Sequence, residues 1–440
     1  MDFRFSCSSI PSIFFLSVVL LCPNLYIEGA EMLPELRENF QNPPVDCWPH
    51  TRWWWMGSAV TKEEITWELE EMHAKGIGGV EQISMEAVYT KGNIPFLSDE
   101  FFEMIRHTVA EAKRLGMEVS FNFSGPGWVI GCPDVPQEDR SKSLVSTSLD
   151  LEGPQTFSGN LPTTLYPGHP YWEVRMSEVP ESGALEAVVA GKLVEGRIEE
   201  SSLVILTPQC DGRRITWQVP EGKWRLMAFW LIYTGQGHAL DHFSEAAMRR
   251  YCESFGGRFY KAVGEEFGKT VDSLFCDSFE VALAPNGLYW SNDLFDRFEK
   301  MKGYELTRYL PAIWWDIGEL TPRIRYDVNE FLHEVGLNTF FKPFLEWCEA
   351  HNVRGRIQPY GFTTDIIEGA GMTHIPEMEI TAGEKDAAPW FDTRIGPKKL
   401  VSSGAHLYGR NIITVEAYTY LHWEPFRATL EELKIASDIF

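Results

Sequence analysis

The first regular pattern in the chain is a short apolar segment followed by an amphipathic helix. Residues 61–64 (Thr-Lys-Glu-Glu) have the form of a capping box, in which side chains satisfy the free N–H groups of a helix start. Apolar side chains then recur at helical spacing at Ile65, Leu69 and Met72, until Gly76 ends the run. This pattern predicts a helix from residue 62 to about residue 75.

Short apolar segments flank that helix and indicate strands. Trp53–Trp55 precedes it and Gly78–Glu81 follows it, and both are short enough to be buried strands. A second helix is predicted between a capping Ser98 and Gly116, followed by the strand-like segment Val119–Asn122. Strands and helices in strict alternation predict a parallel α/β sheet.

The pattern changes between about residue 143 and residue 235. Short β-type segments, such as Leu203–Leu206, Ile215–Val219 and Trp224–Trp230, are separated by turn residues, and no helical spacing intervenes. This predicts a β-rich domain, residues 143–235, inserted in the α/β unit. A long loop with a hairpin is the alternative, and it is disfavoured because structureless loops of this length are uncommon.

Strands and helices alternate again after residue 244. Strand-like segments occur at 273–276, 356–358 and 412–415, and a long helical stretch runs from about 326 to 350. Six to eight strands of one sheet are visible, which predicts a (β/α)8 barrel of the TIM type, formed by residues 31–142 and 236–440. The chain stops in a helical stretch without a polar tail, so we expect the barrel to be truncated at its C-terminus.

The N-terminus has the pattern of a signal peptide. Arg4 lies in a short polar region, the apolar run Ile13–Leu21 follows, and Gly29-Ala30 provides small residues for cleavage. Residues 1–30 are therefore expected to direct export, which makes the mature protein secreted or periplasmic. The apolar run is too short to span a bilayer, so no stable membrane insertion is expected.

Composition and absent motifs exclude several classes of protein. The formal charge of −24 argues against nucleic acid as a partner, because phosphate binding needs clustered Lys and Arg. The eight cysteines show no CxxC or zinc-ligand spacing. No GxSxG, HExxH, Walker or dinucleotide motif is present, which argues against nucleotide- and zinc-dependent chemistry. An uncharged sugar remains compatible with the acidic charge and with the 13% aromatic content.

Acidic residues directly follow two of the apolar strands. Asp277 and Glu280 lie just after the strand ending at Cys276, and Glu416 follows Thr414-Val415. The carboxyl ends of barrel strands face the active site, and hydrolysis of a glycosidic bond needs a protonated acid together with a second carboxylate. A helix cap or a surface charge is the alternative for each of these residues.

Further candidates are weaker when taken alone. Glu377 and Glu379 would point to one side of an extended segment and could offer oxygen ligands to calcium, although solvated loop acids are the alternative. The aromatic and glycine-rich runs 53–55 and 122–128 could stack on a sugar, although at least one Trp of the first run is expected in the core. Lone histidines such as His406 are more often structural than functional.

Several separated motifs, in this order, resemble glycoside hydrolase family 106, the α-L-rhamnosidases. The matching stretches are residues 42–44, 51–57, 60–65, 76–81, the Ser-Gly-Pro-Gly-Trp stretch ending at Trp128, 276–280, 356–361, 375–379 and 402–410 leading to Glu416. They span about residues 42 to 430. Members of this family are much longer and carry β-sandwich domains after the barrel, so we expect the chain to correspond to their N-terminal catalytic portion.

The resemblance implies inverting, calcium-assisted hydrolysis of terminal α-L-rhamnosides in oligosaccharides or glycosides. It assigns Glu280 as the general acid, Glu416 as the general base, and Glu377 and Glu379 as calcium ligands. The substrate-binding residues that we expect are Trp54, Trp55, Glu81, Trp128, Asp241, Asp277, Gln358, Tyr360 and His406. Two alternatives remain open: a different sugar on the same scaffold, and a secreted carbohydrate-binding protein without catalysis. The aglycone and the oligomeric state are not predicted.

Overall fold

The computed structural model describes residues 34–85, 91–162, 183–234, 238–279, 287–361, 364–382, 395–420, 429–431 and 433–434. The predicted signal peptide and Glu280 lie outside these residues.

Regular elements alternate along most of the described chain. The strands are β1 (His50–Met56), β2 (Gly79–Met85), β3 (Glu118–Asn122), β4 (Lys142–Asn160), β5 (Ala184–Val194), β6 (Arg197–Ile198), β7 (Val204–Ile205), β8 (Cys210–Asp211), β9 (Arg214–Tyr233), β10 (Val271–Cys276), β11 (Leu288–Trp290), β12 (Arg354–Ile357), β13 (Ile375–Ala382) and β14 (Thr414–Tyr420). The helices are α1 (Lys62–Ala74), α2 (Asp99–Leu115), α3 (Glu245–Tyr251), α4 (Gly257–Val263), α5 (Leu294–Lys302), α6 (Pro311–Trp314), α7 (Leu320–Gly336), α8 (Lys342–Ala350), α9 (Ile366–Met372) and α10 (Ile395–Leu407). Single π-helical turns join α3 to α4 and α7 to α8.

The predicted helix starts and stops in the first third of the chain are confirmed. The Thr61 side chain accepts a hydrogen bond from the Glu64 N–H at 3.2 Å, and Ser98 accepts one from Phe101 at 3.2 Å. Gly116 ends α2 with a φ of 73°, a left-handed conformation that costs glycine little. These signals act within four residues, and they are therefore readable from the sequence.

A seven-stranded sheet forms the α/β part, in the order β1-β2-β3-β10-β12-β13-β14. All neighbouring strands pair in parallel, as the alternation of elements predicted. Eight strands closed into a barrel were expected. Among the described strands, β14 is not paired with β1, so the structure shows a parallel half-barrel, and full closure stays a prediction.

The β-rich segment forms a separate antiparallel sheet, with the order β11-β4-β9-β5-β6. Its centre is a long ribbon in which β4 and β9 pair from Lys142↔Tyr233 to Asn160↔Arg214. The two segments expected at 215–219 and 224–230 are parts of one continuous strand, β9. Since β11 comes from residues 288–290, the sheet also recruits a strand from outside the predicted insertion, whose exact boundaries stay a prediction.

Two apolar layers hold the antiparallel sheet. One face, with Phe229 and Leu231, packs with Trp290 and Phe331 against the helices that follow β11. The other face buries a second cluster that includes Trp217, Trp224 and Trp230. No helix of the described chain is long and apolar enough to cross a bilayer.

Candidate active site

Alternate side chains of β1 point to the hydrophobic core and to the candidate site. Trp53 and Trp55 point to the helix-covered face, where the Trp55 ring lies 5.4 Å from the Trp53 ring and 6.3 Å from the Phe101 ring. Trp55 is 1% exposed, so its predicted role in substrate binding is corrected to core packing. Arg52 and Trp54 occupy the alternate positions of the strand, on the opposite face of the sheet.

Four charged side chains of alternating sign form a closed ring in the interior of the half-barrel. Arg52 Nε lies 3.2 Å from Glu81 Oε1, and Arg52 Nη2 lies 3.7 Å from Glu377 Oε1. Arg356 Nη1 lies 3.3 Å from Glu377 Oε2, and Arg356 also pairs with Glu81. Both guanidinium groups lie over the Phe275 ring, at 5.0 and 4.5 Å from its centroid.

Burial makes this ring of four charges electrostatically strong. Desolvation lowers the pKa of Arg356, and the neighbouring Arg52 lowers it further against the attraction of Glu377. At Arg52 burial also acts to lower the pKa, but Asp277, Glu416 and Glu377 outweigh burial and raise it. Glu81 and Glu377 therefore neutralise buried guanidinium groups, and neither presents a free carboxylate to a sugar.

Glu416 lies at the solvent side of this ring of charges. Its Oε2 atom is 2.8 Å from Arg52 Nη2 and accepts a hydrogen bond of 2.8 Å from Gln358 Nε2. The side chain is 12% exposed, more than Glu81 or Glu377, and solvent can therefore reach it. Arg52 and Gln358 thus contact the same carboxylate oxygen of Glu416.

Three more predicted residues join this site from neighbouring strands. Asp277 follows β10, and its Oδ2 atom lies 3.4 Å from Arg52 Nη1. Tyr360 follows β12 and donates from its hydroxyl to Glu379 Oε2 at 3.4 Å. Burial and the nearby acids, Glu379 first among them, hold the pKa of Tyr360 well above its usual range, so the phenol stays a proton donor.

Two tryptophans near the carboxyl ends of β1 and β3 contact each other. Trp54, on β1, is 38% exposed, and Trp128 comes from the loop after β3. Their ring centroids are 5.3 Å apart at an interplanar angle of 81°, so the edge of one ring meets the face of the other. The pair offers a rigid apolar surface of the kind on which a sugar ring can stack.

The structure does not bring two of the predicted residues to this site. Asp241 is buried where the half-barrel meets the antiparallel sheet, with its Oδ2 atom 3.3 Å from Lys142 Nζ and 2.6 Å from Ser291 Oγ. These bonds join separate elements, and Asp241 is therefore a structural residue. His406 is exposed in the last turn of α10, which precedes β14 and so lies at the opposite edge of the sheet from the carboxyl ends.

Calcium was predicted at Glu377 and Glu379. In the described part of the chain, no three His, Cys, Asp or Glu side chains are arranged to hold a metal ion. Glu377 does not fit the role of a ligand: Arg52, Arg356 and Gln358 contact its oxygens, and Thr414 donates to Oε2 at 2.7 Å. Glu379, which accepts a hydrogen bond from the Tyr360 hydroxyl at 3.4 Å, is the remaining candidate ligand of the two.

Sequence reasoning missed the two arginines of the site. Arg52 and Arg356 occur in the motifs that carried the family resemblance, but no role was assigned to them. A signal was present, because an arginine within a buried strand requires a buried acid as its partner. The identity of the partner acid depends on which strands come together in the fold. These strands are far apart in the sequence, so the local sequence pattern does not identify the partner.

Carboxylates and an aromatic pair at the carboxyl ends of a parallel α/β sheet are an arrangement compatible with the class of glycoside hydrolases. More specifically, the chain belongs to glycoside hydrolase family 106, described as alpha-L-rhamnosidase, whose family model matches residues 41–167 and 176–440. This confirms the family that the ordered motifs indicated.

The chain matches part of the length of two longer relatives. A protein from Formosa agariphila, named "Putative beta-glucuronidase", is 25% identical over 443 residues, which cover 92% of this chain and 37% of the relative. The solved structure of a rhamnosidase from Novosphingobium sp. PP1Y superposes with a TM-score of 0.65 at 18% identity and covers 92% of this chain and 55% of that chain. The second similarity supports the fold alone, and the chain spans about half or less of both proteins.

Proposed function

We propose that the chain hydrolyses terminal α-L-rhamnosides with inversion, with Glu416 as the general base that activates water. The observation that carries this proposal is the environment of Glu416: a partly exposed carboxylate whose Oε2 atom is held by Arg52 and Gln358. A general base must be reachable by water, and the partial exposure of the Glu416 side chain supports this role. Glu280, four residues after the end of β10 in the sequence, is proposed as the general acid that protonates the leaving oxygen.

The residues around Glu416 support separate roles in holding the base, donating a hydrogen bond and binding the sugar. Arg52 and Gln358 hold the base, and Tyr360 keeps a hydroxyl donor close to Glu379. Trp54 and Trp128 would receive the apolar face of the sugar or of its aglycone. Calcium, proposed on the family resemblance and with Glu379 as one ligand, would hold sugar hydroxyl groups.

A second candidate is a glycosidase for another sugar, since one relative carries the name of a β-glucuronidase. A uronic acid would bring a carboxylate into the site. In the described residues, Arg52 and Arg356 already pair with four carboxylates, from Glu81, Asp277, Glu377 and Glu416, and Glu379 lies against Tyr360 of the same site. Like charges at such distances repel, so this site favours a neutral sugar.

A panel of aryl glycosides separates these candidates. The aryl α-L-rhamnoside should be turned over, and the matched aryl β-D-glucuronide should not. Glu416→Gln and Glu280→Gln should each lower kcat at least about a hundredfold, the usual scale of general acid–base catalysis. The exposed Glu349 provides a matched control, and Glu349→Gln should leave turnover unchanged. Turnover of the glucuronide alone would assign the second candidate, and no turnover of any glycoside would favour a carbohydrate-binding protein.

Export of the mature protein is proposed from the N-terminal pattern of residues 1–30. Expression of the chain with its own N-terminus in a bacterial host tests this proposal. The protein should be recovered from the periplasm or medium, with a new N-terminus near residue 30. Full-length protein in the cytosol would contradict it.

A further inference from the structure

Gln358 was predicted to bind substrate, but its side-chain amide forms hydrogen bonds with other groups of the protein. Nε2 donates to Glu377 Oε1 at 3.0 Å and to Glu416 Oε2 at 2.8 Å. Oε1 accepts from the backbone N–H of Ser278 at 3.1 Å. Both N–H hydrogens and the carbonyl oxygen are thus engaged, and the side chain is buried, with 2% exposure.

The orientation of this amide follows from its partners. Two carboxylates face Nε2 and require donors, and Oε1 accepts from the Ser278 N–H, which also donates to Asp277 Oδ1 at 2.7 Å. With the amide turned over, its oxygen would face the oxygens of Glu377 and Glu416, and its NH2 group would face the N–H of Ser278. Only one orientation satisfies all three contacts, and therefore the amide cannot turn toward a substrate without breaking them.

The backbone around Gln358 is also held by hydrogen bonds. The Gln358 N–H donates to Cys276 O at 3.1 Å, and the Phe279 N–H donates to Tyr360 O at 3.1 Å. These two bonds extend the pairing of β10 with β12 beyond the ends of the strands. Gln358 thus joins a rigid segment after β10 to acids on β13 and β14.

We infer that Gln358 is a positioning residue, whose amide ties the segment after β10 to Glu416 and fixes where the carboxylate of Glu416 stands. This inference rests on the proposed function, in which Glu416 is the base. Gln358 Nε2 donates a hydrogen bond to Oε2 and the Arg52 guanidinium forms an ion pair with the same oxygen, so the position of Oε2 depends on the Gln358 amide. A shift of about 1 Å in a reacting group can lower the rate about a hundredfold, and a residue of this kind acts on kcat.

Two variants separate positioning from substrate binding. Gln358→Glu keeps the size and the acceptor for Ser278 but removes both donors, and Gln358→Met removes every polar contact. Hydrogen bonds to charged groups are strong enough that kcat on the rhamnoside should fall about tenfold or more in both variants. KM should change less than about threefold, because no contact with the sugar is lost.

Gln82 is the matched control, since it is a buried glutamine of the same sheet that donates to Ser84 Oγ at 3.0 Å. Gln82→Met should leave both kinetic constants close to those of the unsubstituted protein. A raised KM with unchanged kcat at Gln358 would make it a substrate-binding residue and overturn the inference, as would unchanged values of both constants.

A structural measurement tests the same point without turnover. In crystal structures of the unsubstituted protein and Gln358→Glu, the carboxylate of Glu416 should differ in position by about 1 Å or more. An unmoved Glu416 would overturn the positioning role even if the protein hydrolyses no rhamnoside. Inactivity of the unsubstituted protein on the whole glycoside panel would instead overturn the proposed function, while the displacement of Glu416 would still decide the role of Gln358.

Discussion

Arg52 on β1 and Glu416 on β14 are joined by an ion pair of 2.8 Å, although these strands stand at opposite ends of a seven-stranded sheet. In a flat sheet, six intervals of about 4.8 Å would separate the two strands by roughly 29 Å. The sheet must therefore curl until its first and last strands face each other. The ion pair of Arg52 therefore requires a curved sheet and also contacts the carboxylate that is proposed as the base.

Removal of Arg52 should affect stability more than an ordinary surface arginine does. Arg52→Met removes one of the two buried cations that Glu81 and Glu377 share, leaving Arg356 alone to neutralise both acids, so the free energy of unfolding should fall by about 3–5 kcal/mol. Arg249 pairs with two exposed acids, and Arg249→Met should cost less than about 1 kcal/mol. Denaturant unfolding measures both values. A loss at Arg52 as small as that at Arg249 would contradict the ring of charges as a buried element.

Substitution of the adjacent tryptophans Trp54 and Trp55 should affect different properties, substrate binding for Trp54 and stability for Trp55. Trp54→Ala removes one ring of the exposed pair, and KM for the rhamnoside should rise about fivefold with little loss of stability. Trp55→Ala empties a core position and should lower the free energy of unfolding by about 3–5 kcal/mol. Steady-state kinetics and denaturant unfolding, applied to both variants, test this. Equal effects on stability would show that Trp54 also belongs to the core.

How much of the fold could be predicted follows from how local each signal is. The caps at Thr61 and Ser98 and the glycine stop at Gly116 involve neighbouring residues, and the structure confirms them. Parallel pairing followed from the alternation of elements. Barrel closure could not be settled in this way, since it depends on contacts between strands that are far apart in the chain.

The candidate site was predictable by position but not by role. Strand ends indicated Asp277 and Glu416, and the family resemblance added Gln358, Tyr360 and Glu379; the structure joins these residues through contacts within one site. Strand alternation alone cannot say which face is inside, so Trp54 and Trp55 were both taken as substrate-binding. Likewise, the sequence shows the side-chain amide of Gln358 but not the groups with which it forms hydrogen bonds.

Acid should destabilise the protein through a buried histidine outside the site. His242 is enclosed by the rings of Phe279 and Phe340, at 4.3 and 4.8 Å, and burial lowers its pKa to about 3. Below pH 6.5 the unfolded chain takes up a proton that the folded chain refuses, so stability present at pH 7 is lost as the pH falls toward 3. Between pH 6.5 and 5 this loss amounts to about 2 kcal/mol.

His242→Phe should remove that part of the pH dependence, whereas the exposed His406→Gln should not change it. Denaturant unfolding at pH 7, 6 and 5 measures the difference between each variant and the unsubstituted protein. Parallel pH profiles for His242→Phe and the unsubstituted protein would contradict the assignment.

Calcium dependence tests the remaining expectation from the family resemblance. Thorough removal with EDTA should lower turnover, and added calcium should restore it. Glu379→Gln should weaken calcium binding measured by calorimetry, because carboxylate oxygens are the ligands that calcium prefers. Glu377→Gln should mainly lower stability, since Glu377 pairs with Arg52 and Arg356. Full activity without calcium would leave Glu379 as a site acid only.

The first anomer released tests the central claim most directly. Proton NMR of the reaction with an aryl α-L-rhamnoside, recorded before mutarotation, should show β-L-rhamnose first, because Glu416 as a base directs water to the face opposite the leaving group. The same experiment with Glu416→Gln should show little product in that time. Initial release of α-L-rhamnose, or no release of rhamnose at all, would contradict the account.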